Sequence, residues 1–298
     1  MKFDTGTELP DNFVLTNEFS DVYNLINDTN VNLFITGKAG SGKSTLLRCI
    51  SRLTDATSGK IFSLIGPFFR SKSRIQSNLE NSNIGNNYEE REILINNMWG
   101  NYGRILSEYV YLKQFRENEL NQFMEFKGLN FLDEIKKNNE QVVFISGHFN
   151  NFELMAMEIE KAGINLCAIY RPLNNPFLNF IMEKFRKNYI CKNQVKKGKS
   201  GTRQLLNFFK KNMSVALMID QRVSEGESIK LFNRYAQTTT IPAQLAKKYG
   251  CRIVPVYIER IRGLSFKLSF NKPIKFDNNL SIKQISLELN KILEKMIQ

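Results

Sequence analysis

Histidine is all but absent from this sequence. Its 298 residues contain one, His148, so a histidine-rich metal site is excluded and any imidazole chemistry belongs there. The four cysteines, Cys49, Cys167, Cys191 and Cys251, lie far apart with no CxxC pair. That spacing argues against a disulfide framework and against a zinc site, and it fits a reducing compartment. No apolar run approaches the roughly 18 residues of a membrane-spanning helix. The opening MKFDTGTELPDNF is polar and acidic, without the basic region and apolar stretch of a secretory signal, so the chain is expected on the cytoplasmic side. Acidic residues are also in short supply. Lys and Arg number 42 against 29 Asp and Glu, a net charge of +13, with an isoelectric point near 9.5. Residues 1–55 hold five basic and seven acidic groups, so the excess lies in the remainder, 37 against 22. Such a field favours phosphates, anionic membrane surfaces or acidic proteins, and does not choose among them. With 42% apolar and 24% charged residues the chain is globular, one large domain or two small ones, and neither disordered nor fibrous.

What is present is an alternation of short apolar runs and helical patterns. Val142–Ile145, Leu166–Tyr170, Val215–Ile219 and Ile253–Ile258 read as strands separated by helices, which predicts an α/β fold with a mostly parallel central sheet flanked by helices. Leu264, Phe266, Leu268 and Phe270 alternate along a late strand, expected to be antiparallel, and Ile282–Ile297 is an amphipathic helix. Glu89 to Phe131 reads as mostly helical, with Tyr109, Tyr111 and Phe115 as buried anchors. Ahead of it, Arg70 to Arg74 is basic and a polar, Asn-rich loop is expected up to Tyr88. The turn-rich TDATSG at Thr54–Gly59 marks a junction.

Before that junction, Gly37-Lys-Ala-Gly-Ser-Gly42-Lys43-Ser44 matches GxxxxGK[ST], after an apolar strand and before a helix. Backbone N–H groups of such a loop cradle phosphates, with Lys43 on the β/γ-phosphates and Ser44 on Mg²⁺. A complete NTPase also needs a second strand bearing a metal-binding acid. The one later run of that type is Val215–Asp220, 176 residues beyond Ser44. Residues 31–53 thus resemble the first strand and helix of a P-loop helicase or related ATPase, and residues 1–55 read as a truncated P-loop fragment.

The run Val142–Ile145 leads into Ser146-Gly-His148-Phe-Asn-Asn-Phe-Glu153-Leu. On one regular helix, positions five apart point about 140° away from each other. His148 and Glu153 can therefore meet only if the histidine lies in the turn and the acid opens the helix, with Gly147 supplying a flexible backbone. The carboxylate then fixes the tautomer and leaves the other ring nitrogen as a general base. A histidine that is simply a satisfied polar residue at a strand end is the competing account of the motif taken alone.

The surrounding blocks carry a resemblance. SGHFNNFEL is similar to the Hxxxx(D/E) block of the lysophospholipid-type acyltransferases, in particular the lipid A biosynthesis late acyltransferases. Ile169-Tyr-Arg171-Pro-Leu-Asn174-Asn175-Pro176 resembles their "YRPLxNP" segment, and Lys197 to Leu206 with Val215 to Gln221 their "GxR…DQ" stretch. Leu231–Arg234 with Thr238–Thr240 resembles "FFGRPAxTTT", and Ile253–Arg260 resembles "PVxxxR". Ile61 to Asn78 is similar to the start of the family's soluble part. The blocks run in order over about residues 58–295, so residues 58–298 are expected to form the acyltransferase domain. Asn150, Phe152, Asn233 and Tyr235 stand where the family commonly has Gly, Trp, Gly and Pro. Its usual apolar anchoring helix is replaced here by the P-loop-like appendage.

The resemblance implies αβα layers and transfer of a fatty acyl chain from an acyl carrier protein thioester to a hydroxyl of a lipid A precursor, without metal or cofactor. His148 would be the base and Glu153 its partner. Arg171 would contact phosphate or oxyanion, unless it serves a surface ion pair. Asn175 would shape the loop beneath it. Asp220 and Gln221 end a strand at the ligand-gathering edge of the sheet, as substrate contacts or as purely structural groups. The basic run Lys192, Lys196, Lys197, Lys199 and Arg203 is either a docking patch for carrier protein and anionic lipid or a solvated face. The chain is expected as a peripheral protein on the cytoplasmic face of the bacterial inner membrane. Nucleic acid is not expected as a partner, because the helicase-like front is acidic. The rival readings are a P-loop ATP-binding protein using Gly37, Gly42, Lys43 and Ser44, and a fusion product with little acyltransferase activity.

Overall fold

Five of the apolar runs form strands, and other segments join them. A computed structural model describes residues 72–81, 85–172, 176–232 and 234–297. The chain divides between Tyr111 and Leu112 into two compact units. In the first, α1 (Lys72–Asn81) and α2 (Tyr88–Glu108) meet through Ile75, Ile95 and Trp99. The Asn87 side chain accepts the Glu90 N–H at 2.8 Å, and Glu90 accepts the Asn86 N–H at 2.7 Å. This reciprocal cap satisfies two N–H groups that the helix cannot bond itself. The loop expected between Arg74 and Tyr88 is instead helical in its first part, where α1 runs to Asn81. Its apolar side is only Ile75 and Leu79, one turn apart and too short to read as a period before α2 packs on it.

The second unit holds the sheet. Its strands are β1 (Met124–Lys127), β2 (Val142–Ser146), β3 (Leu166–Tyr170), β4 (Asn193–Lys196), β5 (Ser214–Met218), β8 (Arg252–Arg262) and β9 (Ser265–Phe270). They stand in the order β1-β9-β8-β2-β5-β3-β4, and all neighbouring pairs are parallel except β8 with β9. A separate antiparallel hairpin joins β6 (Glu227–Leu231) to β7 (Arg234–Thr238). The helices are α3 (Leu112–Arg116), α4 (Leu129–Lys137), α5 (Glu153–Lys161), α6 (Pro176–Phe185), α7 (Lys199–Lys210), α8 (Ile241–Tyr249) and α9 (Ile282–Ile297).

β2 lies centrally and all five of its residues are buried, which is why it reads as an unbroken apolar run: helices cover both faces. Val143 and Ile145 face a cluster with Leu205 and Phe209 of α7, Leu245 of α8, and Ile285, Leu289 and Leu293 of α9. The four-residue spacing on α9 is the stripe seen in the sequence. Phe144 points the other way, as alternation requires. Its neighbours in register on that face are Ala216 of β5 and Ala168 of β3. Two alanines in the row leave room beneath α5.

β1 lies within the stretch expected to be helical, and four residues reading Met-Glu-Phe-Lys carry too little pattern to reveal a strand. β4 was hidden in the basic run. Only Val195 of it is buried, as suits a strand at the sheet's edge. β9 alternates as expected, with Phe266, Leu268 and Phe270 buried, and it pairs antiparallel with β8.

Candidate active site

Register builds the centre of the site. Ser146 of β2 stands opposite Met218 of β5, and the ladder continues with the Ile219 N–H donating to the Ser146 carbonyl at 2.8 Å. Two residues beyond each partner are His148 and Asp220, which leave the carboxyl edge of the sheet side by side. Asp220 Oδ1 lies 2.7 Å from His148 Nδ1, and Oδ2 accepts the His148 backbone N–H at 2.8 Å. One carboxylate thus fixes both the ring and the peptide that bears it. A Cβ at Gly147 would stand 2.9 Å from the Phe149 ring and 3.3 Å from Asp220 Oδ2, so any side chain there would have to push the Phe149 ring aside. Phe152 meets the imidazole edge-on at 4.8 Å.

With Nδ1–H given to Asp220, the neutral ring keeps an acceptor lone pair at Nε2. The Gln221 amide nitrogen stands 3.3 Å from that atom. Burial pushes the Asp220 carboxyl up, but the ring hydrogen bond, the imidazolium charge and the backbone N–H of His148 together outweigh it and hold the carboxyl below its ordinary range.

One expectation is corrected here. The carboxylate on the imidazole belongs to Asp220, which was read as a substrate contact or structural group, and not to Glu153. Glu153 does open α5, as expected, and is buried. Its Oε1 accepts from Nε of Arg186 at 2.8 Å and also from Nη2 of the same guanidinium. Arg186 begins a π-helical turn, Arg186–Ile190, and lies 5.6 Å from the centre of the Tyr170 ring. Tyr170 bonds to Glu183, which Lys196 meets at 3.0 Å. Burial and the Glu183 carboxylate push the Tyr170 hydroxyl pKa up, while that bond pulls Glu183 down. Asn150, at φ +38°, turns the chain between His148 and α5. The motif acid is thereby held by the π-turn while register supplies the imidazole's partner. Arg186 gave no signal in sequence, lying among lysines and asparagines with no spacing to mark it.

These groups border a cavity of about 580 Å³. Phe144, Met155, Ala156, Ile159, Ala168 and Ile190 give it apolar wall, and His148, Glu153, Arg171, Arg186, Lys196, Lys197 and Gln221 give it polar wall. Arg171 is exposed and lies in the lining. From the basic run, Lys196 and Lys197 belong to the cavity, and Lys196 is paired with Glu183. Asn175, and Gly37, Gly42, Lys43 and Ser44 of the glycine loop, lie outside the described residues. Among the described residues no cluster of three or more His, Cys, Asp or Glu side chains could hold a metal ion. Among them, too, no helix is long and apolar enough to cross a membrane.

A histidine–carboxylate pair at the mouth of a largely apolar cavity suits proton removal beside a lipid chain. The sequence profile of the bacterial lipid A biosynthesis acyltransferases matches residues 43–298. The chain belongs to that family. Lipid A biosynthesis acyltransferase 2 of Shigella flexneri is 26% identical over 103 residues, 34% of this chain and 32% of that protein. Lipid A biosynthesis myristoyltransferase of Escherichia coli K12 is 20% identical over 170 residues, 56% of this chain and 52% of that protein. A third relative is of another kind. The trimethylamine N-oxide transport system ATP-binding protein TmoW of Pelagibacter ubique is 34% identical over 156 residues, 49% of this chain and 40% of that protein. The chain thus spans between about a third and about half of the length of these curated relatives.

Proposed function

We propose that the chain transfers a fatty acyl group from an acyl carrier protein thioester to a hydroxyl of a lipid A precursor, with His148 as general base. The observation that carries this reading is the 2.7 Å contact of Nδ1 with Asp220, which leaves Nε2 toward the cavity. The acceptor's hydroxyl takes the place of the Gln221 amide at Nε2. As its oxygen attacks the thioester carbonyl, the proton passes to Nε2, and Asp220 balances the imidazolium charge that forms. Collapse of the tetrahedral intermediate breaks the carbon–sulfur bond, and the imidazolium returns its proton to the departing thiolate. Glu153 works through Arg186, holding the π-turn that walls the cavity. Arg171 and Lys197 meet the phosphates of the acceptor or carrier arm. The site faces the cytoplasmic side of the inner membrane, where carrier-protein thioesters are made, and the protein reaches it peripherally.

The likeness to an ATP-binding transport protein favours a second reading, in which Gly37, Gly42, Lys43 and Ser44 bind nucleotide. The two are separated by testing His148→Ala and Lys43→Ala side by side. A positioned base contributes about 10²–10⁴-fold. His148→Ala should therefore abolish acyl transfer from carrier-protein thioesters with the fold intact, and Lys43→Ala should leave transfer unchanged. Near-normal turnover in His148→Ala would remove the first reading, and ATP binding lost only in Lys43→Ala would establish the second.

A further inference from the structure

β8 pairs with β2 so that Ile145 stands opposite Pro255. Three residues on, Ile258 is level with His148, and the Asn150 amide donates to the Ile258 carbonyl at 3.3 Å. β8 continues to Arg262, which carries its turn about 13 Å past the imidazole at ~3.3 Å per residue. The turn is braced from within. Arg260 donates through Nη1 to the Gly263 carbonyl at 2.6 Å and lies 4.5 Å over the Phe266 ring. Outward it presents Ile261, 57% exposed, and the exposed Arg262.

A second turn reaches the same edge. Thr240 and Ile241, where α8 begins, line the cavity, so α8 ends at the opposite edge, where β8 starts. α9 sets out from that far edge, with Lys247 Nζ donating to the Leu280 carbonyl at 2.7 Å. It returns along α8 and β6 toward the cavity edge. There Glu294, near its end, accepts the Phe232 backbone N–H at 2.6 Å. The β6–β7 turn is thereby fixed at the cavity edge. It exposes Phe232 and, more fully, Tyr235 at 70%, with exposed Lys230 and Arg234 beside them. The Lys230 ammonium sits 5.9 Å from the Tyr235 ring.

Each turn pairs exposed apolar side chains with cations, and both lie at the edge of the sheet where His148 leaves β2. That composition matches the headgroup layer of an anionic bilayer, where apolar groups enter the acyl boundary and Lys or Arg meet lipid phosphates. We propose that the β6–β7 and β8–β9 turns dock this edge on an anionic lipid surface, with the cavity opening toward the membrane. The proposal rests on the reading that the acceptor is a lipid. An acidic protein would use the same cations, but the apolar tips stand on two separate turns and not on one continuous patch, which suits entry into a headgroup layer better than a packed protein interface.

The test is sedimentation of the full chain with phosphatidylglycerol–phosphatidylcholine vesicles. Phe232→Ser with Ile261→Ser should weaken binding about tenfold or more, with unchanged circular dichroism and unchanged acyl transfer to detergent-dispersed acceptor. Arg234→Gln with Arg262→Gln should also weaken it, and should narrow the difference between anionic and neutral vesicles. Wild-type vesicle binding by the serine double variant overturns the proposal. So does loss of acyl carrier protein binding in place of vesicle binding, which would make these turns a protein dock. Vesicle binding is read without chemistry, so a failure of acyl transfer in every variant and in the parent would count against the proposed reaction alone.

Discussion

At the scale of single residues, the site depends on which carboxylate serves which cation. Asp220 holds the His148 ring and its backbone N–H together. Asp220→Asn keeps the shape but removes the charge that balances the imidazolium, so transfer should fall about a hundredfold or more in a carrier-protein thioester assay. The same variant bears on acid stability. A carboxyl held below its ordinary range stabilises the fold fully above that range, near pH ~4, and loses the contribution as pH falls through its lower folded value. Asp220→Asn should therefore flatten the acid limb of stability against pH, measured by denaturant unfolding. Glu153 and Arg186 form a buried pair, 8% and 12% exposed at the side chain, so losing either partner removes a charge-assisted contact from a place with little water. Glu153→Gln or Arg186→Met should each destabilise the fold by about 1.5–3 kcal/mol in denaturant unfolding, and the double variant by less than their sum, because both single variants lose the same contact. Additive losses would mean that the two side chains act separately.

Among elements, the passage from β4 into α7 is the tightest in the site. A Cβ on Gly201 would lie 1.6 Å from the Lys196 carbonyl oxygen, backbone that cannot rotate aside. Gly201→Ala should therefore destabilise the fold by about 1–3 kcal/mol in chemical denaturation, and it should raise the KM for the thioester, because Gly201 borders the cavity. The Phe144, Ala168 and Ala216 row shows the complementary case. The row runs Val254, Phe144, Ala216, Ala168 and Gln194 across the sheet, and the two adjacent alanines leave the space beneath α5. Each alanine is unremarkable in its own strand, and only pairing across β2, β5 and β3 makes the cavity.

Over the whole molecule, the excess charge lies after residue 55, and the proposed docking on an anionic surface would draw on it. Screening shortens to about 10 Å at 0.1 M salt and about 3 Å at 1 M. Vesicle binding by the full chain should thus fall steeply between low and moderate salt, whereas salt-resistant binding would point to insertion. Some of this molecule was legible in one dimension. β2, β3, β5 and β8 are dense apolar runs because helices cover them on both faces, and burial of that kind writes itself into local composition. The sequence puts Glu153 at a helix start only on the premise that it meets His148, whereas His148 at a strand end and the closing stripe of α9 followed from local pattern. β1 and β4 did not, since four residues at or near a sheet edge bury too little to leave a pattern. The pairing of His148 with Asp220 across 72 residues, and of Glu153 with Arg186 across 33, was equally out of reach. Periodicity reports what one segment buries; which segment lies beside it, and in what register, is set by the simultaneous packing of strands and helices, and that packing chose the imidazole's partner.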